Sequence, residues 1–250
     1  MHYKFLKKII NALGYKLVDK NLVKNDRLLS KYSHVTIDNI LSKLFTYNKI
    51  NSVIQIGSND GERFDNLNNF IKKFKPMGIL VEPIKSNFEN LKKNYLNQEN
   101  LFFENLAISV DDKIDHLFKV KEDKLYLYDE HIVGITSFKK EHLIRHGVKN
   151  KNIVKEIVKA ISINDLLKKY KLEKLDLLYI DTEGYDGEIV IDFINKSDLR
   201  SIIIFEYIHV NNLTLNSALN QLIKKNYLFF KIEENVICFP NEKKDDFKFI

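Results

Sequence analysis

Tryptophan is absent from this chain of 250 residues, and cysteine occurs once, at Cys238. A lone cysteine excludes an intramolecular disulfide and a cysteine zinc cluster. It points to a reducing, cytoplasmic compartment. Proline is nearly missing: only Pro76, Pro83 and Pro240 interrupt the backbone, and no Pro-rich or low-complexity linker divides the chain. No apolar run approaches the roughly 18 residues that span a bilayer. The opening stretch MHYKFLKKIINALGYKLV breaks its apolar residues with lysine, and no small-residue cleavage site follows, which differs from a signal peptide. Arginine is scarce as well. Arg27, Arg63, Arg145 and Arg200 leave 36 lysines among the 40 basic residues.

The 40 basic residues face 34 acids, a formal net charge of +6. The lysines are scattered among acids, and Arg, the usual reader of base edges, is rare. The codon usage of a low-GC genome accounts for that pattern, and no nucleic-acid partner is expected. Hydrophobic residues make up 44% and charged residues 30%, enough apolar side chains for a full core and too many for a disordered chain.

Residues 3–17 place Phe5, Leu6, Ile9, Ile10, Leu13 and Leu17 at helical spacing, with Lys4, Lys7, Lys8 and Lys16 mostly opposite. A helix docked on the core and a helix resting on anionic lipid both fit. Residues 1–35 are therefore read as a helical extension, with peripheral contact at the inner membrane face through residues 1–18 left open.

From residue 36 to 250 helices and apolar strands alternate. The pattern predicts helix 37–47, strand Ser52–Ile56, a helix ending near Lys75, strand Met77–Val81, helix Asn87–Tyr95 and strand Leu101–Ala107. It continues with helix Ile161–Tyr170, strand Leu175–Ile180, helix Gly187–Asn195, strand Ser201–Tyr207 and helix Leu215–Lys225. A closing hairpin is read at Tyr227–Ile232 and Val236–Phe239. The stretch 108–160 breaks the alternation and reads as an insertion with short strands around Lys113–Val120 and Ile153–Ala160. Strand–helix alternation with apolar strands means an α/β fold, a mostly parallel sheet covered on both faces with an antiparallel hairpin at one edge.

Ligands of such sheets bind beyond the carboxyl ends of the strands, and each end here carries polar residues. The first reads Gln55-Ile56-Gly57-Ser58-Asn59-Asp60-Gly61, with two glycines and an asparagine tolerant of the left-handed region. The spacing is not G-x-G-x-x-G, which disfavours a dinucleotide site and an NAD-dependent or nucleotide-sugar enzyme. The second strand ends in Glu82-Pro83, an acid 25 residues after Gly57 and placed to bind a ribose diol. The third ends in Glu104-Asn105-Leu106-Ala107, where Asn105 can meet an adenine edge. The fourth, Ile180-Asp181-Thr182-Glu183-Gly184-Tyr185-Asp186, puts Asp181 at the tip and Glu183 on the same face if the strand continues. One acid of this segment is expected only to cap the following helix. Two acids at one cleft suit general-base chemistry or a divalent cation. A fifth strand ends near Glu206, with His209 following, a neutral base or an exposed loop histidine.

Together these residues resemble the FkbM family of S-adenosylmethionine-dependent methyltransferases. Val53–Gly61 stands for the family's strand and "GANxG" loop, Val81-Glu82-Pro83 for its "xEP" step, and Ile180–Gly184 for its "IDxEG" signature. Thr136-Ser137 is similar to its hydroxyl-rich segment, and the likeness covers about residues 36–240. It implies a class I methyltransferase fold, a Rossmann-like three-layer sandwich, with S-adenosylmethionine as cofactor and O-methylation of a sugar, glycan or related metabolite. By position, Gln55, Gly57, Ser58, Asn59 and Gly61 would cradle the methionine part. Glu82 and Pro83 would hold the ribose, and Asn105 and Ala107 would lie near adenine. Asp181 and Glu183 would face the reacting methyl, with Asp181 or His209 as base and Glu183 orienting the acceptor or helping to hold a cation. Gln55 departs from the pattern, since methyltransferases generally carry Asp or Glu there. Its neutral amide lacks charge for the cofactor's ammonium, which keeps a non-catalytic binding protein as an alternative. Asp181, Glu183, Glu206 and His209 offer a hard oxygen–nitrogen cation site that no spacing enforces. The insertion, with Tyr126, Tyr128, His131, Thr136, Ser137, His142 and His146, is expected to shape the acceptor pocket.

Overall fold

A computed structural model describes residues 35–48, 50–111, 116–129, 132 and 134–243. The expected N-terminal helix, the 1–18 membrane segment and His131 lie outside the described residues.

The domain begins with α1 (Ile37–Tyr47), whose start is fixed by a reciprocal cap: Thr36 Oγ1 accepts from the Asn39 amide, and Asn39 Oδ1 accepts from the Thr36 amide. Its apolar stripe of Ile37, Ile40, Leu41, Leu44 and Phe45 is buried. The chain then runs through β1 (Ser52–Ile56), α2 (Asn68–Phe74), β2 (Met77–Val81), α3 (Lys85–Asn94) and β3 (Leu101–Glu104). After the insertion come α5 (Ile163–Lys169), β8 (Leu177–Ile180), α6 (Asp186–Lys196), β9 (Ile202–Glu206), α7 (Asn212–Lys224), β10 (Tyr227–Ile232) and β11 (Asn235–Pro240).

Seven strands form one sheet in the order β10-β11-β9-β8-β1-β2-β3. The five strands β3, β2, β1, β8 and β9 are parallel, and β11 and β10 add antiparallel at the edge. Period-two alternation divides the core between the faces. Ile54, Ile56, Ile79, Val81, Leu178, Ile180 and Ile203 pack with Phe193 and Leu222 on one side. Val53, Leu80, Leu177, Tyr179, Ile202 and Ile204 pack with α1 residues on the other. The sheet is thus buried on both sides, as an α/β sandwich requires.

The register decides where the functional ends fall. Ile56 is opposite both Val81 and Ile180, Val81 is opposite Glu104, and Ile180 is opposite Phe205. Asn105, Glu82, Gly57 and Asp181 therefore follow their strands, and Glu206 ends β9, all at one edge of the sheet. At the opposite edge Asp176 Oδ2 accepts from the amides of Asn51 and Ser52, tying the starts of β1 and β8 together.

The insertion has a small core of its own. β5 (His116–Val120) pairs antiparallel with β6 (Ile153–Ile157), and α4 (Lys140–Arg145) packs Leu143 with Val120, Ile135, Val148 and Ile153. The strand predicted to run through Ala107 ends at Glu104 instead. The chain leaves the main sheet at Asn105, and β4 (Ala107–Ile108) pairs with β7 (Ala160–Ile161) in a separate two-stranded sheet. Pairing partners decide this, since residues 106–108 are apolar enough to continue either way. No helix among the described residues is long and apolar enough to cross a membrane.

Candidate functional site

A cleft of about 330 Å³ opens over the strand ends, lined by residues of all five parallel strands or the turns after them. It sits at the switch point between β1 and β8, where connections leave the sheet in opposite directions.

The turn after β1 is built on left-handed residues, with φ of +83° at Gly57, +47° at Asn59 and +74° at Gly61. Gly57 permits a close approach: a Cβ there would lie 1.7 Å from the Asp181 carbonyl oxygen. Only glycine lets the turns after β1 and β8 meet. Gly61 instead faces the protein, where a Cβ would lie 2.5 Å from Leu91 Cδ1, so it packs the loop on α3 and stands off the cleft wall.

Glu82 is buried, with Oε2 accepting from the Asn59 amide at 2.9 Å and Oε1 from the Ile84 amide at 2.8 Å. Burial pushes its carboxyl up to about 7, against the pull of those amides and with Asp60 and Glu156 adding repulsion. Asn105 does not line the cleft. Its amide donates to the carbonyls of Glu82 and Pro83, both at 2.9 Å, and so clasps the β2 end from behind. Pro83 and Ala107 do line it, beside Leu106 and Ile108.

Gln55 is buried and its Nε2 donates to Asp65 Oδ1 at 2.9 Å, which fixes the orientation of the amide. Its Oε1 has no hydrogen-bond partner. The carboxyl missing from the end of β1 thus has a neighbour in Asp65, ten residues later. Asp65 also accepts from the Leu67 amide and the Tyr95 hydroxyl, and burial raises its carboxyl despite them. Sequence reasoning missed Asp65, because only the folding back of loop 57–67 brings it under the β1 end.

Asp181 lines the cleft from the end of β8. Burial first, and then the charges of Asp186, Glu183 and Asp65, raise its carboxyl well above the ordinary range. β8 stops at Ile180, so the period-two argument for Glu183 fails. Glu183 reaches the cleft through a left-handed turn, with φ of +54° there and +99° at Gly184. Asp186 holds that turn. It is fully buried at the start of α6, accepts from Thr182 Oγ1 at 2.9 Å and from the Gly184 amide at 3.2 Å, and has its carboxyl pushed up to about 6 by burial. No acid of this segment caps the helix through its side chain: the cap position is Tyr185, and Asp186, the first helical residue, binds the preceding turn instead.

His209 does not line the cleft. It lies beside Glu183, with Nε2 3.7 Å from Glu183 Oε2 and 3.9 Å from Glu206 Oε2. Burial, and then Asp181, Glu183 and Asp186, push Glu206 up to about 9. From the insertion, Thr136 and Phe138 line the cleft, and the buried Ser137 donates from Oγ to the Glu183 carbonyl at 3.3 Å. His142 is buried, with Nε2 3.1 Å from Glu183 Oε2. Tyr128 is tied elsewhere, accepting from Asn152 Nδ2 at 2.7 Å, and Tyr126 is exposed. The arrangement can bind a cation carrying hydroxyl groups and can take a proton from a neutral nucleophile.

Several solved structures match the chain at low identity. An FkbM methyltransferase from Methylobacillus flagellatus KT is 11% identical, covering 76% of this chain and 43% of that one, with a TM-score of 0.43. A precorrin-6y C5,15-methyltransferase from Geobacter metallireducens GS-15 is 12% identical, covering 81% and 84%, with a TM-score of 0.40. A ribosomal protein L11 methylase from Lactobacillus delbrueckii subsp. bulgaricus is 12% identical, covering 80% and 74%, with a TM-score of 0.38. No curated protein matches the chain. The methyltransferase FkbM domain matches residues 55–229, more than half of the sequence and every strand end that lines the cleft before the final hairpin. The chain belongs to the FkbM domain family of S-adenosylmethionine-dependent methyltransferases.

Proposed function

We propose that the protein transfers the methyl group of S-adenosylmethionine to a hydroxyl oxygen of a sugar, glycan or related small metabolite. The observation that carries this reading is the set of carboxylates around one cleft, Asp65, Glu82, Asp181 and Glu206, all raised by burial. Buried acids at this density favour a cation. The donor fits, bringing a sulfonium, an ammonium and a ribose diol. Gln55 Oε1, buried without a partner, and Asp65 beside it face the ammonium. Glu82, whose oxygens keep lone pairs beyond the two amides, accepts from the ribose hydroxyls. Gly57, Ser58 and Asn59 bring backbone close to the methionine part, and Pro83, Leu106, Ala107 and Ile108 give adenine an apolar wall.

The bound donor supplies a methyl carbon that is already electrophilic, so the protein's part is alignment and proton removal. Asp181 accepts the proton of the acceptor hydroxyl, a task suited to a carboxylate made more basic by its surroundings. His209, set back from the cleft, acts through Glu183, which orients the acceptor. Phe64 supports a ring-shaped acceptor: it is 63% exposed on the cleft lining and held at φ +58°. A bulky side chain in that region is strained, and such strain clusters at binding sites.

Isothermal titration with S-adenosylmethionine, S-adenosylhomocysteine and NAD, followed by labelled methyl transfer to nucleotide-sugars and lipid-linked glycans, tests the reading. Binding of neither sulfur cofactor overturns it. Asp181→Asn is expected to lower turnover by about 10²-fold or more while S-adenosylhomocysteine still binds. Lys4, Lys7, Lys8 and Lys16 support a cytoplasmic enzyme held at an anionic membrane through residues 1–18. Liposome co-sedimentation that survives deletion of those residues rejects that attachment.

A further inference from the structure

We propose that His142, His146 and His209, closed by Glu183, bind a single first-row transition-metal ion at the rim of the cleft. The three imidazole rings form a near-regular triangle, with centroids 4.6 Å apart for His142–His146, 4.7 Å for His142–His209 and 4.9 Å for His146–His209. One ligand nitrogen from each lies within 4.8 Å of the others. Glu183 Oε2 is 3.1 Å from His142 Nε2 and 3.7 Å from His209 Nε2. Tetrahedral ligands at the usual zinc bond lengths stand about 3.4 Å apart. The Glu183 contacts to His142 and His209 bracket that spacing, and the imidazole nitrogens, within 4.8 Å of one another, close onto an ion by side-chain rotation.

Three segments distant in sequence converge here, and each is held in place by its own structure. His142 and His146 sit one helical turn apart at α4 and its C-terminal cap, a spacing that puts both on one face. Glu183 is presented by its left-handed turn, braced by Asp186 and by Ser137. His209 follows β9, and Gly184 admits its backbone: a Cβ at Gly184 would lie 2.8 Å from the His209 carbonyl oxygen. A further carboxylate faces the group. Glu206 Oε2 is buried without a hydrogen-bond partner, 3.9 Å from His209 Nε2. It is available as a fifth ligand or as acceptor from a bound water.

The ligand set identifies the ion. Three imidazoles with one carboxylate suit zinc and its first-row neighbours, whereas magnesium and calcium prefer oxygen throughout. Of the hard site expected from the sequence, Glu183, Glu206 and His209 do come together and Asp181 stays outside; His142 and His146 of the insertion join the group at His209. Metal binding here stands independently of the methyl-transfer reading. If that reading holds, the ion lies beside Glu183, where a coordinated acceptor hydroxyl would lose its proton more easily.

The test uses the tag-free full chain, stripped with a chelator and titrated with cobalt(II). Visible d–d absorption saturating at one equivalent, displaced by zinc and not by magnesium, is the expected result. Cys238 is fully buried, so no thiolate charge-transfer band should accompany it. His146→Ala, a half-buried position, is expected to weaken cobalt binding at least tenfold and leave S-adenosylhomocysteine binding unchanged. His209→Gln serves as a second variant should the first fold poorly, with far-UV circular dichroism as the check. No saturable cobalt spectrum, or unchanged affinity in both folded variants, overturns the site. Failure of the unsubstituted chain to bind either S-adenosylmethionine or S-adenosylhomocysteine, with cobalt binding intact, would instead overturn the methyl-transfer reading alone.

Discussion

Gln55 shows how a single residue can be misjudged when its partner is distant in the chain. An amide at the end of β1 suggests a weakened cofactor site, yet the Asp65 carboxyl stands 2.9 Å away. Restoring an acid at position 55 should therefore harm the protein. Gln55→Glu sets two buried carboxylates against each other, and the expected outcome is a lower Tm near neutral pH and weaker S-adenosylhomocysteine binding. The swap Gln55→Glu with Asp65→Asn returns one charge and one amide to the pair, and both properties should recover by about 1 kcal/mol or more relative to Gln55→Glu alone. Additive losses in the double variant would show that Asp65 does not stand in for the missing acid.

Among the elements, those with continuous burial were legible and those held by local hydrogen bonds were less so. β1 and β2 were read with their observed limits, because strands covered on both faces are largely apolar runs, in β1 broken only by the buried Ser52 and Gln55. α3 begins at Lys85, two residues before the expected start, since its cap position Ile84 offers no side-chain hydrogen bond to mark it. α4 was not read at all. It has six residues, and only His142 and Leu143 are buried. α1 was legible because the Thr36–Asn39 cap precedes a clear stripe. That cap is an exposed, self-contained device, so Thr36→Ala should cost about 1 kcal/mol, lowering Tm by roughly 2–4 °C without affecting cofactor binding. An unchanged thermal melt would mean that Glu233, whose carboxylate accepts from the Ile37 amide at 3.0 Å, alone secures the helix start.

For the whole molecule, the carboxylates gathered at one end of the sheet set the pH dependence. Burial raises Glu82 to about 7 and Asp186 to about 6. The groups facing Glu82 are the acids Asp60 and Glu156 and the amides of Asn59 and Ile84. A raised carboxyl holds its proton in the folded protein at pH values where the unfolded chain has released it. Unfolding therefore releases protons between the ordinary carboxylate range and about 7 from Glu82 and Asp186, and up to about 9 from Glu206, and stability falls as pH rises through that window. The donor-free, chelator-treated protein should lose on the order of 2 kcal/mol between about pH 5 and pH 8, read as a falling Tm. Saturation with S-adenosylmethionine should flatten the curve, because a bound cation offsets the buried charge. A Tm that rises across the same range contradicts the burial of Glu82 and Asp186.

The sequence by itself determined the order of strands and helices, the apolar faces of the sheet and the residues that stand at its carboxyl edge. Those follow from local patterns: period-two burial, apolar runs and polar tips. Only the tertiary structure decided which tip residues face the cleft. Glu82 and Asp181 do; Asn105 turns back to clasp two carbonyls, and Gly61 turns inward against α3. It alone joined Gln55 to Asp65, and it alone brought His142 and His146 to Glu183 and His209. The physical reason is common to these cases. Side-chain partners across loops are selected by register and by left-handed turns such as Glu183–Gly184, and neither leaves a period in the sequence.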